Sequence, residues 1–310
     1  MNSSNKLIVI LGPTASGKTH LAVQLAHQIN GEIISADSRQ VYREMNIGTG
    51  KDLEEYIVDN QSIPYHLIDI LEAGEQYHIH LFQQDFQRVY QDIISIGKTP
   101  ILCGGSGMYL EAVLKGYEFT AIPIDENLRE KLLEKPTEEL LKIFQENPSE
   151  YAKKADVSTR KRLIRAIEIS QFLRQNPDFI IPNPQIPEFI IFGLNPETES
   201  RRISITKRLN HRLENGMIEE VKALISKGIS PQKLIFYGLE YKFITQYLTG
   251  ELTYEIMVER LNVAIHQFAK RQMTYFRKME RDGLRINWLS NKLPLDKKLE
   301  EIIVKTFGSL

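Results

Sequence analysis

The chain has 310 residues, 39 Lys and Arg against 40 Asp and Glu, and a formal net charge of −1. This length holds one large α/β domain or one domain with an insertion, and the single cysteine, Cys103, excludes an intramolecular disulfide framework and a cysteine-rich zinc site and fits a reducing cytoplasm. No stretch approaches the length of a membrane span, and residues 1–6 run straight into an apolar segment with no room for a signal peptide, so a cytoplasmic protein with no membrane partner is expected.

The first elements alternate strand and helix. Leu7, Ile8, Val9, Ile10 and Leu11 read as a buried strand, and residues 19–29 as the helix after it. Between them lies Gly12-Pro13-Thr14-Ala15-Ser16-Gly17-Lys18-Thr19, a G-x-x-x-x-G-K-T phosphate loop in its strand–loop–helix setting. Its glycines let several backbone N–H groups point at one anion. The helix adds its positive N-terminal dipole, and Lys18 adds a full charge. The Thr19 hydroxyl is the group that reaches a Mg²⁺ ion held on the phosphates. The loop implies a polyphosphate without saying which one.

Residues 32–35 are a second strand, ending in Ala36-Asp37-Ser38-Arg39-Gln40. Two roles compete for Asp37: holding Mg²⁺ through water, or taking a proton from an acceptor group. A plainer one is that Asp37-Ser38 caps a short helix at residues 40–43. Arg39 is suited to neutralising phosphate or gripping a polynucleotide backbone. Residues 65–70 read as a third strand and 79–96 as an amphipathic helix, with Phe82, Phe86, Val89 and Ile93 near helical spacing. Tyr77-His78-Ile79-His80 reads as a loop or helix start rather than a metal site. Residues 99–103 are a fourth strand, which makes Cys103 a buried strand residue rather than a nucleophile.

Gly104-Gly105-Ser106-Gly107 then enters a helix at 108–114, where Ser106 either caps that helix or meets an anion or base edge. The alternation implies an α/β fold with a parallel sheet flanked by helices. Ligands of such sheets lie beyond the carboxyl ends of the strands, so the phosphate loop, residues 37–40 and residues 104–106 share one rim.

From about residue 118 the pattern changes to short helices, at 127–133, 137–145 and 158–173, followed by a proline-rich connection from 176 to 187. Strand character returns at 188–194, so the helical part is an insertion in the α/β core. The expected division is residues 1–117, 118–187 and 188–310. After residue 195 the chain is mainly helical through Arg281, with a last strand at 284–288. Charge is uneven along this course. Residues 118–150 are acid-rich, whereas residues 151–176 carry Lys153, Lys154, Arg160, Lys161, Arg162, Arg165 and Arg174. Residues 201–285 are again predominantly basic. Local patches rather than the total set the field a polyanion meets; ordinary solvated helix faces are the plainer account. Tyr275 and Phe276 lie in the basic stretch 270–278, which reads as a packed helix with one face on phosphates.

Together these motifs resemble the tRNA dimethylallyltransferases, also called tRNA isopentenyltransferases. The matching stretches are residues 12–19, Ile34-Ser35-Ala36-Asp37-Ser38-Arg39-Gln40-Val41-Tyr42, Met45-Asn46-Ile47-Gly48-Thr49-Gly50-Lys51, Cys103-Gly104-Gly105-Ser106-Gly107-Met108-Tyr109 and Ala269-Lys270-Arg271-Gln272. The phosphate loop is common to many families; the Asp-Ser-Arg-Gln segment with the later Gly-Gly and Ala-Lys-Arg-Gln segments is much more specific.

The resemblance implies transfer of a five-carbon allylic group from dimethylallyl diphosphate to the exocyclic N6 of the adenosine beside the anticodon, on its 3′ side. It implies residues 12–19 as the diphosphate cradle with Mg²⁺ on Thr19, Lys18 on the leaving group and Asp37 as the base. Ser106, where the family usually has Thr, would touch the target nucleotide. Contacts to the tRNA anticodon stem-loop are implied for Asp37, Ser38, Arg39, Gln40, Ser106, Arg129, Lys161, Arg162, Leu163, Ile164, Arg165, Arg208, Arg212, Lys270 and Arg271. The chain departs from the family in lacking about one helical turn after Arg212 and in placing Glu240 where Gly is usual. A monomer is expected. The alternatives are an isopentenyltransferase acting on free adenine nucleotides, a P-loop small-molecule kinase or regulatory NTPase, and a non-catalytic RNA-binding module. The last leaves Lys18, Thr19 and Asp37 without roles.

Overall fold

Strand β1 (Leu7–Leu11) has no polar side chain and is buried along its whole length, which makes it the centre of a sheet rather than an edge. The computed structural model describes residues 6–308. After β1 come α1 (Lys18–Ile29), β2 (Gly31–Ser35), the short strands β3 (Ile57–Val58), β4 (Gln61–Ser62) and β5 (Tyr65–His66), α2 (Ile79–Ser95), β6 (Thr99–Gly104) and α3 (Gly107–Lys115). Helices α4 (Glu126–Leu133), α5 (Thr137–Gln145) and α6 (Arg160–Gln175) follow. The chain then runs through β7 (Phe189–Leu194), α7 (Thr198–Glu214), α8 (Met217–Ser226), α9 (Pro231–Phe236), α10 (Leu239–Leu248), α11 (Tyr254–Arg281), β8 (Ile286–Leu289) and α12 (Leu295–Phe307).

The main sheet has six strands in the order β5-β2-β6-β1-β7-β8, and every pairing in it is parallel. Successive residues of β1 supply two cores. Leu7, Val9 and Leu11 pack with Phe82, Phe86 and Ile93 of α2, Leu110 of α3 and Phe276 of α11. Ile8 and Ile10 pack with Leu21, Leu25 and Ala26 of α1 and with Leu299 and Ile302 of α12. Burying both faces in this way is the reason the strands read as unbroken apolar runs. A third core gathers Val41, Tyr42 and Met45 against α7, α8, α10 and α11.

Contacts divide the chain into two units: one from both ends, up to Lys115 and from Gln185 onward, and the other Gly116–Pro184. The second unit has its own small core of Leu132, Leu140, Leu163, Ile164 and Ile167. Two of its helices, α4 and α6, start on side-chain caps: Asp125 accepts from Leu128 N–H at 2.9 Å and Thr159 from Arg162 N–H at 3.3 Å.

Two sequence expectations need correction. The strand expected at 65–70 ends at His66, because Leu67 and Asp69 take positive φ values of 62° and 54°. The Asp69 and Ile70 N–H groups then bond to Gln40 and Val41 carbonyls. No helix follows Asp37-Ser38; residues 40–43 form turns, so the capping role fails. The hairpin β3–β4 and helix α12 were not foreseen. The expected lack of a signal peptide rests on residues 1–5, outside the described residues. Among the described residues no helix is long and apolar enough to cross a membrane.

Candidate active site

The phosphate loop, the β2 end and the β6 end meet in one cavity of about 680 Å³, lined wholly by the first unit. Thr14 to Thr19 form one wall; Asp37, Ser38, Arg39 and Gln40 a second; Gly104, Gly105 and Ser106 a third. Arg208, Arg212, Glu240, Arg271, Gln272 and Tyr275 close it from the helical part of the chain. Parallel strands bring this about, since all their carboxyl ends open on the same edge.

Gly17 carries the left-handed conformation (φ 78°) that starts α1 and turns the loop back on itself. Ser16 Oγ is buried and has no partner, an orphaned donor within the cradle. Burial lowers the Lys18 pKa, and nearby Cys103 and Asp37 oppose the shift. An ammonium stripped of water in this way gains most when an anion arrives. Burial pushes the Cys103 thiol up to about 12, so it is no nucleophile at neutral pH, as its strand position implied.

Asp37 Oδ1 accepts from the Arg39 N–H at 2.9 Å, which fixes its carboxylate at the strand end. Ser106 Oγ accepts from the Ser38 N–H at 3.3 Å and so ties the β6 turn to the Asp37 loop. The Ser106 carbonyl accepts from the Tyr109 and Leu110 N–H groups, which opens α3. Gln40 donates to the Gly50 carbonyl at 3.0 Å, and its Oε1 accepts from Ser35 Oγ at 3.1 Å. Gln40 thus holds the 46–51 loop and lines the cavity at once.

Of the residues expected at the tRNA, Leu163 and Ile164 are buried, and the others are placed as follows. Arg208 donates to the Thr14 hydroxyl, and burial, with Arg212 adding repulsion, brings its pKa down to about 10. Arg212 is buried and pairs with Asp52 at 3.3 Å. Both arginines therefore belong to the phosphate cavity and not to an outer surface. Leu163 and Ile164 are core residues of the second unit, because on α6 they fall on the stripe that faces α4 and α5. Arg129 grips Glu168 with two hydrogen bonds, 2.8 and 2.7 Å, and Arg165 braces the same carboxylate and the Ile122 and Pro123 carbonyls. These arginines hold the unit together. Lys161 and Arg162 are exposed, and Arg162 pairs with Asp156 at 2.7 Å. Lys270 and Arg271 are both exposed, and Arg271 also lines the cavity.

Two residues were missed. Glu220 of α8 accepts from the N–H groups of Asn46, Ile47 and Gly48 at 2.7, 2.7 and 3.0 Å and from Tyr241 Oη at 2.7 Å. Lys51 is buried and donates to Tyr42 O, to Asn46 Oδ1 at 3.2 Å and to Asp69. The two build the loop that presents Gly50 to Arg212. Neither lies in a catalytic motif with a spacing rule, so only the fold reveals them. Glu240 puts its carboxyl in the cavity; burial raises its pKa while Arg212 and Arg208 oppose the rise.

A hard cation has few protein ligands here: among the described residues no three His, Cys, Asp or Glu side chains form a metal cluster. The Thr19 hydroxyl on the cavity wall suits a Mg²⁺ ion that takes most of its oxygens from a bound diphosphate.

Such a cavity, with a carboxylate and a hydroxyl beside a glycine-rich strand-to-helix loop, fits a group-transfer protein. The IPP transferase family matches residues 40–279, and the chain belongs to that family. It is 52% identical over 297 residues to tRNA dimethylallyltransferase 1 of Parabacteroides distasonis, covering 96% of each chain. It is 52% identical over 300 residues to tRNA dimethylallyltransferase 2 of Phocaeicola vulgatus, again over 96% of each. The crystal structure of the full-length tRNA isopentenylpyrophosphate transferase of Bacillus halodurans superposes with a TM-score of 0.72 at 32% identity, over 98% of this chain and 96% of that one.

Proposed function

We propose that this enzyme transfers the dimethylallyl group of dimethylallyl diphosphate to N6 of the adenosine 3′-adjacent to the anticodon in tRNA. The products are N6-isopentenyladenosine and diphosphate. The observation that carries the reading is the meeting of the phosphate loop, Asp37 and Ser106 in one cavity.

The leaving group binds in the Gly12–Thr19 loop, where Lys18, Arg208 and Arg212 offset the charge that grows as the C–O bond breaks. Thr19 would help hold Mg²⁺, which would supply further charge neutralisation when bound. The N6 amine is a weak nucleophile, since its lone pair is delocalised into the ring. As its nitrogen bonds to the allylic carbon, the electron pair of the C–O bond leaves with diphosphate and the N6 proton passes to the Asp37 carboxylate. Ser106, bonded to the Asp37 loop, orients the nucleotide. The target base must leave the anticodon stack to reach the cavity. Lys161 and Arg162 of the Gly116–Pro184 unit offer phosphate contacts, and a monomer in the cytoplasm is the working form.

The test offers labelled dimethylallyl diphosphate and Mg²⁺ with unmodified tRNA in one reaction and with AMP, ADP or ATP in another. Label on one adenosine beside the anticodon supports the proposal. Label on free nucleotide alone replaces it with a nucleotide-prenylating enzyme, a reading the relatives' names do not favour.

A further inference from the structure

Gln272 of α11 touches both halves of the cavity. Its Oε1 accepts from the Thr14 N–H at 2.8 Å, in the phosphate loop. Its Nε2 donates to the Gly105 carbonyl at 2.9 Å, at the end of β6. The approach is close: a Cβ on residue 105 would lie 2.4 Å from Nε2. The next residue, Ser106, accepts from the Ser38 N–H at 3.3 Å, beside Asp37. One buried amide is thus the link between the anion cradle and the base.

The rest of α11 keeps that amide in place. One turn on, Tyr275 packs on Gly107 and donates to Glu111 Oε2 at 2.6 Å. Lys278 bonds the same buried carboxylate at 2.9 and 3.0 Å. Glu111 lies on α3, which the 104–107 turn leads into. Helix α11 is therefore pinned to that turn through Gln272 and Tyr275 and to the body of α3 through Tyr275 and Lys278.

We infer that Gln272 is a positioning residue, which sets the spacing between the diphosphate cradle and the Asp37–Ser106 loops and so lines up N6 with the breaking C–O bond. The inference rests on the proposed function. Group transfer between two bound substrates is sensitive to displacements of a fraction of an ångström. Only an amide meets both contacts at neutral pH, because one end must accept and the other donate. Methionine fills the space but leaves the Thr14 N–H and Gly105 carbonyl buried without partners. Glutamate keeps the acceptor, but its carboxylate repels the Gly105 carbonyl until it is protonated, when it again offers one acceptor and one donor.

The experiment measures single-turnover prenyl transfer to saturating tRNA from saturating dimethylallyl diphosphate, for the parent, Q272M and Q272E, across pH 5.5 to 8.5. Affinities for each substrate and thermal melting are measured in parallel. Q272M is expected to slow the transfer step about tenfold or more at every pH, with tRNA affinity unchanged. For Q272E the rate relative to the parent is expected to rise several-fold as pH falls. The ratio isolates the new carboxyl, because Lys18, Asp37, Arg208, Glu240 and Arg271, which line the same cavity, are common to both proteins. A Q272M rate within threefold of the parent overturns the inference. So does a Q272E ratio that is flat with pH, and this arm decides if Q272M fails to fold. A parent protein that prenylates no tRNA instead overturns the proposed function.

Discussion

Gly50 and Arg212 are in contact: a Cβ on residue 50 would stand 2.2 Å from Arg212 Nη2, and Gly50 has a φ of +70°. The loop from Asn46 to Lys51 is therefore shaped to let a guanidinium pass. Gly50→Ala strains the backbone and displaces Arg212 from the cavity wall. The expected outcome is a donor KM raised about tenfold, as for losing one charge-assisted hydrogen bond, with tRNA affinity unchanged. Steady-state kinetics with each substrate varied in turn checks this.

Asp37→Ala removes the proton acceptor and leaves the cradle intact. Transfer should fall by about a hundredfold or more while the donor still binds. Isothermal titration with dimethylallyl diphosphate and a single-turnover assay separate the two. Weakened donor binding with normal turnover at saturation would reverse the assignment.

Lys18 tests the opposition between stability and function. Burial lowers its pKa below the ordinary lysine value, so the unfolded chain holds this proton more tightly than the folded one. Its contribution to stability is thus lost as pH falls through the lowered pKa and regained as pH rises towards the ordinary value. Wherever the buried side chain is charged, its desolvation costs stability. Lys18→Met should raise the melting temperature of the free protein and abolish the further rise on adding diphosphate. A melting temperature lower than the parent's would contradict this account.

Arg129 and Arg162 separate folding from binding within the Gly116–Pro184 unit. Arg129→Ala leaves the buried Glu168 carboxylate with Arg165 alone. The cost should be about 3 kcal/mol, the low end for breaking a buried pair, and local hydrogen exchange would read it. Arg162→Ala should leave stability unchanged, weaken tRNA binding, and lower the salt slope of affinity by about one. Equal tRNA affinity for Arg162→Ala and the parent at low salt excludes that contact.

Much of the sheet was legible because a strand buried on both faces leaves an unbroken apolar run, as in β1 and β6. The cradle was legible because an anion-binding loop needs glycine at fixed spacing. Residues 65–70 misled, since the run Tyr65-His66-Leu67-Ile68-Asp69-Ile70 is rich in apolar and aromatic residues while the backbones of Leu67 and Asp69 turn left-handed. Leu163 and Ile164 misled for another reason. A motif marks that residues matter without saying whether they touch a partner or hold the fold. Gln272, although part of a matching stretch, and Glu220 act over 258 and 172 residues of sequence separation, on Thr14 and Gly48, partners that no local pattern can disclose.

Strand β1 pairs with β7 through the register Leu7–Phe189 to Leu11–Gly193. On the ribosome, the centre of the sheet therefore waits for a neighbour made some 180 residues later. The Gly116–Pro184 unit, with its own core, emerges whole in that interval and can fold first. The cavity is finished later still, once Arg208 and Gln272 have been synthesised. A stalled or clipped chain thus carries the phosphate loop without a working site, so competence arrives at once and late in synthesis.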